Sequence, residues 1–293
     1  MRQLQLKTPT MTGPDVFDWQ TFLKTLSLFP GKVDSDFGPI SDGATRAYQR
    51  KADLGTDGVV GPDTLARAAL DGYVSTTGSN IAGMDTNVSC AKAADQLSGE
   101  GMQFVARYYS DTAAKTLTPD EAHRISGAGI SLVAVFENRN NSADLFSTAT
   151  GKAQAAKALA LAAGIGQPAG SAIYFAVDFD AALADLRGGI ADYFDAIQNA
   201  FSAAETQYAV GVYGSGLTCR VIRDTGLAKF TWLTNSVGFQ EYSAFRRQAD
   251  IVQLFPERLV AGGQVSIDDD IAQSAAFGAF NLAQAQTAAI IAT

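Results

Sequence analysis

Histidine and cysteine are nearly absent from the sequence, which contains one histidine, His123, and two cysteines, Cys90 and Cys219. Two cysteines cannot build a disulfide framework or a cysteine-rich zinc site. A single histidine leaves no Ser-His-Asp triad unless His123 itself serves, and the segment TPDEAHRI places that residue inside a helix capped by Thr118. We therefore expect a structural or solvated role for His123, and the sequence indicates neither a metal nor a cofactor.

The chain also lacks an excess of positive charge and any long apolar run. It has 30 acidic and 22 basic side chains, a formal net charge of -8, which disfavours nucleic acid and anionic bilayers as partners. No run approaches about eighteen uninterrupted apolar residues, and residues 1–17 lack the apolar segment of a signal peptide. We therefore expect synthesis in the cytoplasm without a signal peptide, and no membrane or nucleic-acid partner.

The 293 residues divide into two parts with different patterns. Residues 1–73 contain short helical segments separated by glycine and aspartate turns, whereas apolar strands alternate with alanine-rich helical stretches from residue 81 onward. Residues 74–80 are rich in serine, threonine and glycine, which is typical of a linker. The sequence therefore predicts a small helical domain at 1–73, a linker at 74–80 and a larger domain at 81–293.

Eight β-type runs lie in the larger part. They are residues 81–85, 104–109, 130–137, 172–178, 208–214, 230–234, 250–255 and 265–268. Several of these runs are apolar on both faces, as a sheet buried beneath helices requires. Strands that alternate with helices predict an α/β fold, either a parallel barrel or a doubly wound sheet.

Carboxylates stand at the ends of several of these runs. In IYFAVDFD, alternation places Tyr174, Asp178 and Asp180 on one face, so we expect both aspartates at the carboxyl-terminal mouth of a barrel. Four more carboxylates are expected at the same rim: Asp85, Glu137, Asp268 and Asp270. The strands also bring aromatic, amide and cationic groups there: Arg107 or Tyr108, Tyr213, Trp232 and Gln253.

A ring of carboxylates and aromatic side chains suits a sugar substrate. One acid protonates the glycosidic oxygen, a second carboxylate activates water or stabilises positive charge, and flat rings stack on the sugar. Repulsion among the carboxylates would raise at least one pKa and supply the protonated acid. Two other interpretations stay open: the aspartates cap the helices that follow the strands, or the cluster binds a hard cation such as magnesium or calcium.

Two similar segments occur in the first part of the chain. VDSDFGPIS (33–41) and TDGVVGPDT (56–64) each contain an aspartate-rich turn, then Gly-Pro, then a hydroxyl residue that can cap a helix. With Trp19, Gln20 and Tyr48, these segments resemble the peptidoglycan-binding domain found beside many cell-wall hydrolases. The resemblance implies a three-helix module that binds the bacterial cell wall.

The second part also resembles a known family. The matching segments are GMD (83–85), RYY (107–109), YFAVDFD (174–180), VGVYG (210–214), TWL (231–233), VQLF (252–255) and SIDDD (266–270). They are similar to the uncharacterised glycoside hydrolase-like domains related to the lysozymes of glycoside hydrolase family 25, which implies a (β/α)8 TIM barrel.

The same resemblance implies roles for particular residues. Family 25 has Asp-x-Glu after strand four, with the glutamate as general acid, and aspartates at strands one and eight. Asp178, Asp85 and Asp268 stand at three of those places, and Asp180, shorter by one methylene than glutamate, stands where the acid is expected. Asp180 is then the first candidate for the acid and Glu137 the second. Asp178 would position water or the substrate, and Asp85 and Asp268 would orient the sugar.

These observations predict a monomeric two-domain peptidoglycan hydrolase, lysozyme-like and acting on the glycan strand. Its site of action would be the cell wall, reached after release as a phage lysin or after secretion as an antibacterial effector. The alternative is a wall-binding protein whose barrel holds glycan but has lost its acid. A stem-peptide amidase is disfavoured, because the sequence lacks the Cys, His or metal set that such chemistry uses.

Overall fold

The computed structural model describes residues 3–71, 73, 81–204, 206–254 and 257–285. The chain divides into two compact units whose main boundary falls between residues 80 and 81. The predicted linker, 74–80, lies outside the described residues. Within the described ranges, no helix combines the length and the apolar character needed to cross a membrane.

The first unit is small and helical, as predicted. Its elements are β1 (Met11–Thr12), α1 (Pro14–Thr25), β2 (Asp36–Phe37), α2 (Pro39–Lys51) and α3 (Pro62–Leu70). Each helix begins with a proline, whose fixed φ suits the first helical position. The core is aromatic: the Trp19 ring lies 5.6 Å from Tyr48 and 5.4 Å from Tyr73. The Trp19 Nε1–H donates to Thr45 Oγ1 at 2.8 Å, so the buried indole is also satisfied.

One buried glutamine holds each of the two similar turns. The amide nitrogens of Gln20 and Gln49 each lie 2.7 Å from the first aspartate carboxylate of their turn. They also donate to Ser41 Oγ at 3.0 Å and Thr64 Oγ1 at 3.1 Å, respectively. The hydroxyl residues therefore bind the glutamines instead of capping the helices, and the N-cap of α2 is Gly38, which makes no side-chain cap.

The second unit is an α/β protein built on a closed barrel. Its barrel strands are β3 (Ile81–Asp85), β4 (Phe104–Tyr109), β5 (Ser131–Phe136), β6 (Ala172–Ala176), β7 (Ala209–Gly214), β8 (Phe230–Leu233), β9 (Ile251–Gln253) and β11 (Val265–Ala272), with β10 (Arg258–Val260) attached to β11. Its helices are α4 (Ala94–Gly99), α5 (Pro119–Gly127), α6 (Thr148–Ile165), α7 (Leu183–Leu186), α8 (Gly189–Ala203), α9 (Gly216–Asp224) and α10 (Tyr242–Phe245).

The last barrel strand runs antiparallel to its neighbours, whereas eight parallel strands were expected. Strands β3 to β9 are neighbours in chain order and run parallel, whereas β11 pairs antiparallel with both β9 and β3 and closes the barrel. A parallel return needs a long crossover, usually a helix. The connection between β9 and β11 contains β10 and a turn instead, so the chain re-enters the sheet in the reverse direction.

Apolar side chains of alternate residues fill the barrel interior. They include Phe104, Ala106, Val133, Val135, Tyr174, Ala176, Trp232 and Ala272. Gly211 makes room for a large ring, because a Cβ at that position would lie 2.5 Å from Tyr174 Cδ1. The interior is therefore a packed core, and a cavity with polar lining lies at its carboxyl-terminal mouth.

Candidate active site

A cavity of about 230 Å³ lies at the carboxyl-terminal ends of the parallel barrel strands. Four carboxylates line it: Asp85, Glu137, Asp178 and Asp268. The remaining polar and aromatic lining consists of Tyr108, Tyr213, Trp232, Gln253, Thr234, Asn235 and Ser236, over Val135 and Ala176. The structure therefore brings together eight of the residues that were predicted to share one rim.

Asp85 and Asp268 form one wall of the cavity. They are direct partners in the antiparallel pairing of β3 with β11. Gln253 Nε2 donates to Asp85 Oδ2 at 2.6 Å and to Asp268 Oδ2 at 3.3 Å, and the Tyr108 hydroxyl donates to Asp85 Oδ1 at 3.2 Å. Burial, and secondarily the charge of Asp268, raises the pKa of Asp85. Burial, followed by the charges of Glu257 and Asp269, raises the pKa of Asp268 to about 6.

Glu137 and Asp178 follow the neighbouring strands β5 and β6 on another side of the cavity. Lys115 Nζ lies 3.1 Å from Glu137 Oε2 and 4.8 Å from the centre of the Tyr108 ring. Burial raises the pKa of Glu137, and the Lys115 ammonium opposes this shift. Burial also raises the pKa of Asp178, whose carboxylate has no hydrogen-bond donor within the described part of the chain.

The Gln253 amide has a defined orientation. Its Oε1 accepts from the Asn235 backbone N–H at 3.2 Å and lies 2.9 Å from the Tyr213 hydroxyl. Because two donors hold the oxygen, the Nε2 group faces Asp85 and Asp268. The Tyr213 ring packs edge-on against Trp232, with centroids 5.2 Å apart, so the aromatic part of the lining is rigid as well.

Asp180, the residue expected to be the acid, does not line the cavity. Strand β6 ends at Ala176, so the alternation that would have placed Asp178 and Asp180 on one face stops before either of them. Asp180 Oδ1 accepts a hydrogen bond from the Gln240 backbone N–H at 2.9 Å, which directs the carboxylate to that loop. The end of β6 is held by Asn140, whose side-chain Nδ2 donates to the Ala176 carbonyl at 2.9 Å.

Three other predicted ligand-binding residues also lie away from the cavity. Arg107 is fully buried on the outer face of β4 and pairs with Glu121 of α5 at 2.8 Å, because Ala106 and Tyr108 occupy the inner face. Tyr174 lies within the barrel core, where its hydroxyl donates to the Phe277 carbonyl at 2.7 Å. Asp270 lies on the inner face of β11 and is not part of the cavity lining.

Several residues that line the cavity or contact its carboxylates were not predicted from the sequence. Thr234, Asn235 and Ser236 follow β8 directly, and polar residues after an apolar strand were the signal that identified Glu137. Their position directly after an apolar strand could therefore have predicted that these three residues lie at the cavity. Lys115 lies in an irregular loop between β4 and α5, where no pattern marks its direction. Among the described residues, no group of three or more His, Cys, Asp or Glu side chains has an arrangement that could hold a metal ion.

Comparisons with known proteins match a different family in each of the two parts of the chain. Residues 95–272 match the family described as "Rv2525c-like, glycoside hydrolase-like domain", and residues 12–67 match "Putative peptidoglycan binding domain". The uncharacterized protein YbfG of Bacillus subtilis is 27% identical over 251 residues, which cover 79% of this chain and 34% of YbfG. The match thus spans about a third of that relative.

Two proteins of Mycobacterium tuberculosis match the chain in different parts. The N-acetylmuramoyl-L-alanine amidase CwlM is 42% identical over 53 residues, or 18% of this chain and 13% of CwlM. The crystal structure of the Tat-secreted protein Rv2525c in complex with L-tartrate superimposes with a TM-score of 0.55 and 21% identity, over 68% of this chain and 98% of Rv2525c. That similarity shows a shared barrel fold. The chain therefore belongs to the Rv2525c-like, glycoside hydrolase-like family and carries a peptidoglycan-binding domain at its N-terminal side.

Proposed function

We propose that this protein hydrolyses the glycan strand of bacterial peptidoglycan, as a lysozyme-like N-acetylmuramidase. The observation that carries the proposal is the cavity lined by Asp85, Glu137, Asp178 and Asp268, whose pKa values are all raised, beside aromatic side chains. A protonated carboxyl and an ionised carboxylate in one cavity are what glycoside hydrolysis needs. The barrel would then be a variant of the (β/α)8 barrel of family 25 with its last strand reversed.

Asp178 is our candidate for the general acid. Burial favours its protonated form, and its carboxyl group is not engaged by any described hydrogen-bond donor, so the proton is available to a glycosidic oxygen. Glu137 suits the opposite role, because the Lys115 ammonium 3.1 Å away favours its ionised form. Lys115 therefore distinguishes the two residues: it is bonded directly to Glu137 and acts on Asp178 only through its charge. Asp180 is not assigned a catalytic role.

Asp85 and Asp268 are our candidates for stabilising positive charge on the sugar. Their Oδ2 atoms both lie within 3.3 Å of the Gln253 amide nitrogen, so the two carboxylates face the same point. The transition state of glycoside hydrolysis resembles an oxocarbenium ion, and negative charge aimed at the ring stabilises it. Tyr108, Tyr213 and Trp232 would contact the sugar.

The dimensions of the cavity favour a polymer that is only partly enclosed. Its volume of about 230 Å³ is below the roughly 300–1,000 Å³ of pockets that enclose drug-sized ligands. We infer that the cavity takes about one sugar ring, while the rest of the glycan strand lies outside it. Peptidoglycan is then both substrate and partner, and the protein acts as a monomer at the cell wall.

The N-terminal domain is proposed to hold the barrel on its substrate. If residues 1–73 bind the wall and residues 74–80 are a linker, each cleavage after the first encounter becomes effectively intramolecular. Removing residues 1–73 should then lower the rate on intact wall and leave the rate on soluble glycan fragments unchanged.

The test is digestion of purified wall sacculi, followed by reduction of the new ends and mass spectrometry of the fragments. We expect fragments that end in N-acetylmuramic acid, and Asp178→Asn should lower their release by roughly a hundredfold or more. Asp180→Asn is the matched control, because Asp180 is two residues away but outside the cavity, and it should release fragments at a normal rate. If the wild-type protein released no new reducing ends, glycan hydrolysis would be refuted.

One observation favours a second function, glycan binding without cleavage. The position at which family 25 has its glutamate acid holds Asp180 here, and that carboxylate accepts a hydrogen bond from the loop at Gln240. A binding protein would retain sugars in the same cavity. It would sediment with sacculi without releasing fragments, and Asp178→Asn would alter only its affinity.

A further inference from the structure

Asp270 is a buried carboxyl group inside the barrel wall that the proposed mechanism does not use. It lies on the same face of β11 as Asp268, and only 1% of its surface is exposed. Its direct partners in the sheet are Gly83 of β3 and Gln253 of β9. The carboxyl group is therefore enclosed by the strands that form the Asp85 and Asp268 wall.

The two oxygens of Asp270 have different surroundings. Oδ1 accepts a hydrogen bond from Trp232 Nε1 at 2.9 Å. Oδ2 is buried and has no hydrogen-bond partner within the described residues. An ionised carboxylate would leave this second oxygen buried without a donor, which is unfavourable. A protonated carboxyl instead carries an O–H on Oδ2 and needs an acceptor.

Asp85 is the neighbouring acceptor. Asp85 is the direct partner of Asp268, and Asp270 is the partner of Gly83, so Asp85 and Asp270 are diagonal neighbours on the inner face of the sheet. A proton on one of these two carboxyl groups could then be donated to the other. Asp85 already accepts from Gln253 Nε2 and from the Tyr108 hydroxyl. Among the described residues, two donors bind Asp85, whereas the indole N–H alone binds Asp270, so the ionised form is better stabilised on Asp85.

We propose that Asp270 and Asp85 share a single proton, which resides on Asp270 and is donated to Asp85. Asp270 is then a positioning residue: its neutral carboxyl holds Asp85 as the anion that faces the cavity. This assignment rests on the proposed function, in which ionised Asp85 stabilises a positively charged sugar ring.

The other groups around the pair agree with one shared proton. Titratable groups face it from β3, β4, β6, β7 and β11, and Trp232 and Gln253 contribute uncharged donors; the titratable side chains are Asp85, Tyr108, Tyr174, Tyr213 and Asp268. Asp269 lies on the opposite face of β11, where it is paired with Arg258. Burial, and secondarily the charge of Asp85, raises the pKa of Asp270 well above its usual range. A second negative charge at this depth would be opposed by both effects.

A direct test is carbon-13 NMR of the aspartate carboxyl groups in the full chain, with Asp85 and Asp270 assigned from their asparagine variants. At pH 7 we expect the Asp270 carboxyl carbon to show the protonated form and that of Asp85 the ionised form. Two ionised carboxyl groups, or a proton on Asp85, would overturn the proposal. This measurement does not depend on hydrolysis, so it stands even if the wall assay fails.

Variants of Asp270 separate positioning from packing. Asp270→Asn keeps an acceptor for Trp232 and a donor for Asp85, whereas Asp270→Leu keeps neither. We expect Asp270→Leu to lower wall hydrolysis by roughly tenfold or more, and Asp270→Asn to recover most of that loss. If circular dichroism shows that both variants are folded, equal losses of wall hydrolysis would show that the hydrogen bond to Asp85 has no role.

The pH dependence of stability gives a third measurement. A carboxyl with a raised pKa in the folded state stabilises the fold at low pH and loses this contribution as pH rises. Between pH 5 and 7, the ratio of the wild-type unfolding constant to that of Asp270→Asn should rise by about tenfold per pH unit, the effect of one proton. A ratio independent of pH would mean that Asp270 is ionised.

Discussion

Replacing Arg107 by methionine removes one partner of a fully buried ion pair next to the candidate site. The exposed fractions of the Arg107 and Glu121 side chains are 0% and 1%, and the guanidinium donates to both Glu121 oxygens, at 2.8 and 3.2 Å. It also donates to the carbonyls of Thr86 at 2.6 Å and Lys115 at 3.1 Å. The substitution leaves a buried carboxylate without its cation and two carbonyls without a donor.

Breaking a buried pair from one side costs about 3–5 kcal/mol of the free energy of unfolding. For a domain of this size, that loss corresponds to a fall in Tm of roughly 6–20 °C. Hydrolysis should fall as well, because the Lys115 carbonyl loses its donor and the Lys115 ammonium is then less well held against Glu137. The sequence contains two tryptophans, Trp19 and Trp232, so a Trp19→Phe background lets Trp232 fluorescence report unfolding of the barrel alone.

The matched control is Arg124→Met, which breaks an exposed pair on α5. Arg124 and Asp120 are 60% and 75% exposed, and such pairs contribute about 0–1 kcal/mol. The double variant Arg107→Met with Glu121→Leu should recover at least about 1 kcal/mol relative to the sum of the single variants, because it leaves no buried charge. A loss below about 1 kcal/mol in Arg107→Met, or no coupling in the double variant, would refute the reasoning.

Three further predictions concern the barrel and its cavity. Gly211→Ala should destabilise the barrel by about 1–3 kcal/mol in urea, because its Cβ would lie 2.5 Å from the Tyr174 ring. Lys115→Met should move the acid limb of the pH–activity profile upward, because loss of the ammonium raises the pKa of Glu137, and Lys115→Arg should restore it. Asp268 has a pKa raised to about 6, so it stabilises the fold below pH 4 and loses this contribution as pH rises through 6; Asp268→Asn should flatten that part of the stability curve.

The sequence predicted the barrel strands well because their signal is local. The run 104–109 coincides with β4, since a strand that is buried on both faces must be apolar along its length. The direction of β11 has no such signal. It depends on the connection after β9, which forms β10 and a turn in place of a helix.

The candidate site was predictable where a side chain belongs to a strand or follows it at once. Asp85 ends β3 and Glu137 comes directly after β5, so each reaches the cavity as expected. Asp180 was placed wrongly because alternation was continued four residues beyond the end of β6. Lys115 could not be found, because its contact with Glu137 joins two loops that are distant in the sequence.

The distribution of charge in the cavity connects the fold with the proposed chemistry. The Lys115 cation lies beside Glu137, on the side built from β4 and β5. Among the described residues, the groups that bind Asp85 of β3 and Asp268 of β11 are uncharged: the Gln253 amide of β9 and the Tyr108 hydroxyl of β4. Amide and hydroxyl donors hold a carboxylate in place without neutralising it. If the protein hydrolyses glycan as proposed, negative charge on the Asp85 and Asp268 wall is available to a ligand that becomes positively charged during the reaction, as a sugar ring does when its glycosidic bond breaks.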